Sequence, residues 1–285
     1  MRLPLKLMHS TSKARVVLVT GASSGIGRAI AQVLAQKGYS VYGTSRKAKW
    51  GEAEHGVQLI PMDVTNESSV QTAIQTIVEQ EGRIDVVINN AGLGMLGAVE
   101  SVTNHEVKEL FDTNVFGVLN VCRSVIPHMR AQHYGYIINI TSIAGKMGLP
   151  FRGIYSSSKF AVEGFSESLS QELQQFGIRV CIIEPGDYRT AINQNRRVAQ
   201  QIQDVYAQQS EETHRRVNDE VAKAQTPEAM GHLIHRIVND SHPRLRYRSA
   251  NLFQRFSLSL KRILPSRLFE KLVMKHYGMK SLDES

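Results

Sequence analysis

Tyr155 and Lys159 stand at positions i and i+4 in a serine-rich stretch. On a helix that spacing puts a phenol and an ammonium on one face, about one turn apart. A free phenol loses its proton only near pH ~10, but a cation beside it favours the phenolate. A phenol so placed can exchange a proton with the oxygen of an alcohol or a carbonyl. The same spacing also fits two solvated residues on a surface helix, so the surrounding elements must decide between the two.

A glycine turn is the second stretch with chemical content. Gly21, Gly25 and Gly27, with Ser23, Ser24 and Ile26 between them, follow a β-branched run at 15–20 and precede an amphipathic stretch to about Lys37. Strand, glycine turn and helix in that order let the backbone approach a pyrophosphate, with the unpaired N–H groups of the helix start facing it. The spacing differs by one inserted residue from the general dinucleotide fingerprint. The next strand, 40–45, ends in Thr44 and Ser45, and Arg46 and Lys47 follow with no acid before Glu52. An acid there suits the ribose hydroxyls of NAD, and a base suits the 2′-phosphate of NADP. NADP(H) is therefore the expected cofactor, with Arg46 as the main phosphate contact.

These groups need a scaffold, and the hydrophobic pattern supplies one. Strands are expected at 57–62, 84–89, 136–140 and 178–183, alternating with helices at 67–80, 105–132 and 153–176. Such alternation specifies an α/β fold, a doubly wound parallel sheet with helices on both faces. Ligands bind such sheets at the carboxyl ends of the strands. There the chain places Asp63, then Asn89 to Gly92, then Thr141 and Ser142, then Pro185 to Thr190. On the 153–176 helix, Val162, Phe165, Leu169, Leu173 and Phe176 form a stripe with helical period. At about 100° per residue Tyr155 continues that stripe and Lys159 lies about 40° from it, so both face the sheet.

Across residues 14–190 the chain resembles the short-chain dehydrogenase/reductase family in its single-domain branch, and within it hydroxysteroid and retinol dehydrogenase-like members. The resemblance rests on the turn Thr20 to Gly27, the run Asn89, Asn90, Ala91 and Gly92, the order Asn114, Ser142, Tyr155 and Lys159, and the pair Pro185 and Gly186. It implies a Rossmann-like fold that moves a hydride between a nicotinamide ring and a carbonyl or alcohol carbon. Tyr155 would exchange the proton and Ser142 would hydrogen-bond the substrate oxygen. Lys159 would bind the nicotinamide ribose and favour the phenolate, and Asn114 would hold a water linking Lys159 to solvent. The cofactor would lie on Gly21, Ser23, Ser24, Gly25, Ile26, Gly27, Arg46, Asp63, Asn90, Ala91, Gly92, Tyr155, Lys159, Pro185, Gly186 and Thr190, with Asp63 at the adenine. Asp187 and Tyr188 depart from the pattern, since many relatives are apolar there. A small hydrophobic carbonyl or alcohol, bulky and lipid-like, is the expected substrate. A 3-oxoacyl carrier-protein reductase and a non-catalytic NADP(H)-binding sensor or scaffold are the competing readings.

The 285 residues carry a net charge of +8, and its distribution is uneven. Between Arg244 and Lys280 ten Lys or Arg face the single acid Glu270, so the basicity belongs to the tail. No nucleic-acid motif accompanies it. Residues 14–249 are expected to form the catalytic domain, with a mobile helical lid at 187–224, and residues 250–285 a basic amphipathic extension. That extension has two readings: helices closing over the substrate pocket, or a peripheral contact with an anionic membrane. The 114–129 helix is apolar nearly all round, from Val115 and Phe116 to Ile126 and Met129, which suggests a homo-oligomer. Cys122 and Cys181 lie in apolar runs without metal-ligand spacing, so neither a metal nor a disulfide is expected and a cytoplasmic setting is. Residues 1–15 show no cleavage-site pattern, and no segment has the length of a spanning helix.

Overall fold

The computed structural model describes residues 14–190, 196–199 and 203–279. The expected N-terminal features at 1–13 and parts of the expected lid, at 191–195 and 200–202, lie outside the described residues.

The elements run β1 (Val16–Val19), α1 (Gly25–Gln36), β2 (Ser40–Ser45), β3 (Glu52–Glu54), β4 (Val57–Pro61), α2 (Glu67–Glu81), β5 (Val86–Asn89), β6 (Met95–Leu96), α3 (Asn104–Phe111), α4 (Gly117–Gln132), β7 (Gly135–Ile140), α5 (Gly153–Leu173), β8 (Ile178–Pro185), β9 (Arg197–Val198), α6 (Asp204–Ala222), α7 (Glu228–Val238), β10 (Arg246–Ser249), α8 (Leu252–Ile263) and α9 (Ser266–His276). An eight-stranded sheet has the order β10-β8-β7-β5-β1-β2-β4-β3. From β1 the chain builds outward through β2 to β4, then returns to place β5 on the other side of β1. That reversal opens a crevice at the carboxyl ends of β1 and β5, where the strand connections diverge.

The central strands are buried on both faces, so their side chains alternate between two cores. Val16 and Leu18 pack with α2, α4 and α5, whereas Val17 and Val19 pack with α1 and α7. Cys122 lies in the first core and Cys181 in the second, on opposite sides of the sheet. Burial pushes each thiol up to about 12, which keeps both protonated at neutral pH.

The sheet is parallel except at one edge, where β3 pairs antiparallel with β4. Its sequence, Glu-Ala-Glu, is exposed at every position and carries no hydrophobic period to read. A second small sheet, β6 with β9, ties the 196–199 segment to the loop after β5.

Part of the apolar character of α4 is satisfied within the chain: Val118, Val121, Cys122, Val125 and Met129 are buried, while Phe116, just before the helix, is 53% exposed. The tail docks on the catalytic end. Asn251 caps α8 in a reciprocal box with Gln254, and Pro265 separates α8 from α9. Leu258 and Phe269 then join Val217 of α6 and Ile143, Met147 and Leu149 in a third apolar cluster.

Candidate active site

The glycine turn is locked to the loop after β5 across the crevice. Thr20 Oγ1 accepts hydrogen bonds from the Asn90 and Ala91 amides at 3.0 and 2.9 Å. Asn90 Nδ2 donates to the carbonyls of Thr20 and Gly21 at 2.9 and 3.2 Å. Gly21 has φ +65°, and a Cβ there would lie 2.9 Å from the Ala91 Cα. A Cβ on Gly27 would lie 2.3 Å from the Gly21 carbonyl oxygen. Only hydrogen fits at either point, and the close approach sets the angle at which α1 leaves the sheet.

The N-cap of α1, Ser24, makes no side-chain capping bond among the described residues, and the first turn has no acid. Its orphan N–H groups and positive dipole end are thus left to whatever enters the cleft, and an anion fits them.

The cleft is a cavity of about 1740 Å³. That exceeds the ~300–1,000 Å³ of a single drug-sized pocket and suits a dinucleotide together with a second molecule. Of the residues expected at the site, Gly21, Ser23, Ser24, Gly25, Ile26, Arg46, Asp63, Asn90, Ala91, Gly92, Ser142, Tyr155, Lys159, Pro185, Gly186 and Thr190 all line it. Arg46 and Lys47 are exposed at one rim. Asp63 closes the end of β4, its Oδ1 accepting from the Thr65 amide and hydroxyl at 3.0 and 2.9 Å. Gly27 and Asn114 lie behind the wall and are not among its lining groups.

At the other end, α5 brings the reacting groups together. Lys159 is 7% exposed, and its Nζ donates to the Ile140 carbonyl at the end of β7, 3.1 Å away. The Lys159 ammonium stands 5.9 Å from the centroid of the Tyr155 ring, and the Arg152 guanidinium 5.3 Å from it. Ser142 caps a short 3-10 turn, its Oγ accepting from the Ala144 amide at 3.1 Å. With that acceptor role filled, the hydroxyl proton is free to point into the cavity.

Asn114 sits in a π-helical turn, Asp112–Phe116, between α3 and α4. Such turns are frequent at functional sites because they re-aim one side chain. Asn114 Oδ1 accepts from the Leu93 amide at 2.7 Å, and its Nδ2 donates to the Leu93 carbonyl at 2.9 Å and to Ser158 Oγ at 3.1 Å. Ser158 Oγ in turn donates to the Tyr155 carbonyl at 2.7 Å. The Asn114 side chain engages protein groups, tying the loop after Gly92 to the turn of α5 that carries Tyr155. Asn114→Ala would leave the Leu93 amide and carbonyl without these partners, at a cost of about 1–3 kcal/mol. The variant is expected to melt several degrees lower and to bind the cofactor more weakly, measured by differential scanning fluorimetry with and without NADPH. An unchanged melting temperature would remove this positioning role.

Beyond Tyr155 the cavity holds groups that the sequence reading did not assign: Arg152, Arg196, Glu220 and Gln254, with Asp187. Burial holds the Asp187 carboxyl above its usual range, with Arg152 acting in the opposite direction, and Gln254 Nε2 donates to its Oδ2 at 2.5 Å. Burial, helped by Arg152, brings Arg196 down to about 10. Arg152 carried a sequence signal, since it precedes Tyr155 by one helical turn. Gln254 carried none, because only the docking of α8 brings it to Asp187. The outer wall is apolar, built from Met147, Leu149, Phe253, Phe256, Leu260, Phe269 and Leu272.

A crevice at the switch point of a parallel sheet, opening onto a buried lysine beside a tyrosine, is the arrangement by which α/β oxidoreductases hold a nicotinamide cofactor against a substrate. Residues 15–201 match the family model described as short chain dehydrogenase. A 3-ketodihydrosphingosine reductase of Bacteroides thetaiotaomicron is 40% identical over 269 residues, covering 93% of this chain and 99% of that protein. Human retinol dehydrogenase 8 is 38% identical over 184 residues, 60% of this chain and 58% of its own. A crystal structure of a short-chain dehydrogenase from Streptomyces avermitilis superposes with a TM-score of 0.77 at 30% identity, covering 93% of this chain and 97% of the other. The chain belongs to the short-chain dehydrogenase family and is an oxidoreductase with a Rossmann-like fold.

Proposed function

We propose that this enzyme uses NADPH to reduce the ketone of a long-chain, lipid-like substrate that carries a polar head. The observation that carries the reading is the lining of the cavity around Tyr155, where Asp187, Glu220, Arg152 and Arg196 are joined by apolar side chains from α8 and α9. The polar residues suit hydrogen-bonding groups beside a carbonyl, and the apolar side chains suit an alkyl chain. The 40% identical relative, whose match covers 93% of this chain, is named for a long-chain amino ketone, which supports the same substrate class.

The uncapped start of α1 and the Gly21 to Gly27 turn would hold the pyrophosphate, Asp63 the adenosine end, and Arg46 with Lys47 the 2′-phosphate. When bound, the cofactor supplies the hydride that reaches the carbonyl carbon. Ser142 Oγ donates a hydrogen bond to the substrate oxygen and fixes its position. Tyr155 gives its phenolic proton to that oxygen as the alcohol forms, and the Lys159 ammonium favours the phenolate left behind. The tail closes over the cavity and keeps water from the reacting carbon.

The test is NADPH oxidation across a panel of a long-chain 2-amino-3-ketone, simple ketones, retinal, steroid ketones and a 3-oxoacyl carrier-protein thioester. The long-chain amino ketone is expected to give the highest kcat/KM; preference for the carrier thioester would favour the acyl-reductase reading, and no turnover of any would favour a sensor. Arg46→Asp replaces attraction for the 2′-phosphate with repulsion. It is expected to lower kcat/KM for NADPH by about tenfold or more, close to 1.4 kcal/mol, and to leave NADH nearly unaffected. A tenfold wild-type preference for NADH would overturn the Arg46 assignment.

A further inference from the structure

The tail does two things at once, and only one of them concerns the pocket. In α8, Gln254 and Leu258 are buried against the catalytic end. Leu252, Phe253, Phe256 and Ile263 remain exposed, at 83%, 62%, 61% and 79%. At about 100° per residue, Leu252, Ile263, Phe256, Leu260 and Phe253 fall within one arc of about 100°, set apart from the buried stripe. Arg255 and Arg262 are exposed and lie together beside that arc. In α9, Leu268 and Leu272 are also exposed, at 47% and 42%, one turn apart, and Arg267, Lys271 and Lys275 are exposed on the adjoining side.

A helix with one apolar face for the core needs no second one in water, and scattered exposed apolar residues would not share an arc. Nor is a spanning role available: among the described residues no helix is long and apolar enough to cross a membrane. An apolar arc bordered by arginine and lysine is instead the pattern of a helix lying in the headgroup layer of an anionic bilayer.

We infer that α8 and α9 dock this enzyme on an anionic membrane surface, with their exposed apolar arc in the acyl boundary. Charge complementarity selects the partner, since α8 and α9 carry Arg255, Lys261, Arg262, Arg267, Lys271 and Lys275 against the single acid Glu270. The same segment forms the outer wall of the cavity: Phe253, Phe256 and Leu272 belong both to the exposed surface and to the pocket lining. The mouth therefore opens at the docked face, and a lipid chain could pass from bilayer to Tyr155 without crossing water. The docking stands on the tail alone; the route for substrate rests on the long-chain ketone reading.

The test is co-sedimentation of the full chain with vesicles of phosphatidylcholine alone or of equal parts phosphatidylcholine and phosphatidylglycerol. Wild type is expected to bind the mixed vesicles about tenfold more tightly, and less so as salt rises. The triple variant Leu252→Ser, Ile263→Ser, Leu268→Ser changes exposed residues that do not line the cavity. It is expected to lose vesicle binding, with its melting temperature and NADPH binding unchanged. Arg255→Glu with Arg262→Glu is expected to abolish the preference for the anionic vesicles. Equal sedimentation of wild type and triple variant would overturn the docking. So would light scattering that shows a wild-type oligomer dissociating in the triple variant with neither form binding vesicles, which would give the arc to a second copy of the chain. Vesicle binding without turnover of any long-chain ketone would leave the docking standing and remove the substrate reading. Turnover of that ketone from detergent micelles, with no vesicle binding, would do the reverse.

Discussion

Tyr155→Phe is expected to bind NADPH as the wild type does and to reduce its ketone about 10³-fold more slowly, a loss near 4 kcal/mol in the barrier. The substitution removes one oxygen and nothing else that holds the site. The ring keeps its place between the Arg152 guanidinium at 5.3 Å and the Lys159 ammonium at 5.9 Å, because both approach the ring and not only the hydroxyl. The backbone carbonyl of residue 155 still accepts from Ser158, which Asn114 supports from behind. Melting temperature and the fluorescence of bound NADPH should therefore match wild type, and the whole effect should fall on kcat. Ser142 and the bound cofactor would still orient the carbonyl, so some residual rate is expected above solution. Ketone turnover that survived the change would mean that another group supplies the proton, and that the cluster at the end of α5 does not perform the reaction assigned to it.

How much of this site could be read from the chain depends on the range of the contact concerned. Tyr155 and Lys159 were legible because both lie on one helix, and a 3.6-residue period says which way each points. The glycine turn was legible because strand, turn and helix follow one another without interruption, and Asp63 because a strand end is a local feature. Asn114 was placed by its motif and not by its geometry, since nothing local announces a π turn at Asp112–Phe116. The substrate end was hardly legible. Asp187 stood out as a polar residue in an apolar place, but its partner Gln254 lies 67 residues further on and reaches it only through the docking of α8. The edge strand β3 escaped for the opposite reason: it is so exposed that its side chains obey no burial pattern.

If α8 and α9 dock as proposed, the two readings of the tail do not compete. Leu258 and Phe269 close over the pocket, as a covering helix pair should, and the residues a half turn away give the second face its apolar arc. Under that proposal the exposed Arg255 and Arg262 beside the arc would meet the anionic headgroups. This is why Leu252, Ile263 and Leu268, which lie outside the pocket wall, are the informative ones to change.

Gly27→Ala sets two effects of opposite sign against each other, and the structure decides between them. In a helix, alanine is favoured over glycine by about 1 kcal/mol, so on propensity alone the variant should be more stable. At this position the new methyl would arrive 2.3 Å from the Gly21 carbonyl oxygen and 2.4 Å from Asn90 Nδ2, well inside the 3.0 Å below which real Cβ atoms are essentially never found. Neither neighbour can yield cheaply. Gly21 is held at φ +65° with its own Cα hydrogen packed on Ala91, and Asn90 Nδ2 is engaged by the carbonyls of Thr20 and Gly21. Relief requires the turn to open, which breaks those bonds at about 1–3 kcal/mol and swings the start of α1 away from the pyrophosphate position. The clash is expected to win, with a melting temperature lower by several degrees and NADPH binding weaker by about 100-fold, near 2.7 kcal/mol. Gly164→Ala is the control, since a Cβ there meets nothing within 4 Å on an exposed face of α5. It should gain what propensity offers and leave NADPH affinity alone. If both variants behaved alike, the close approach of Gly27 to the turn would not be what shapes the cofactor cleft.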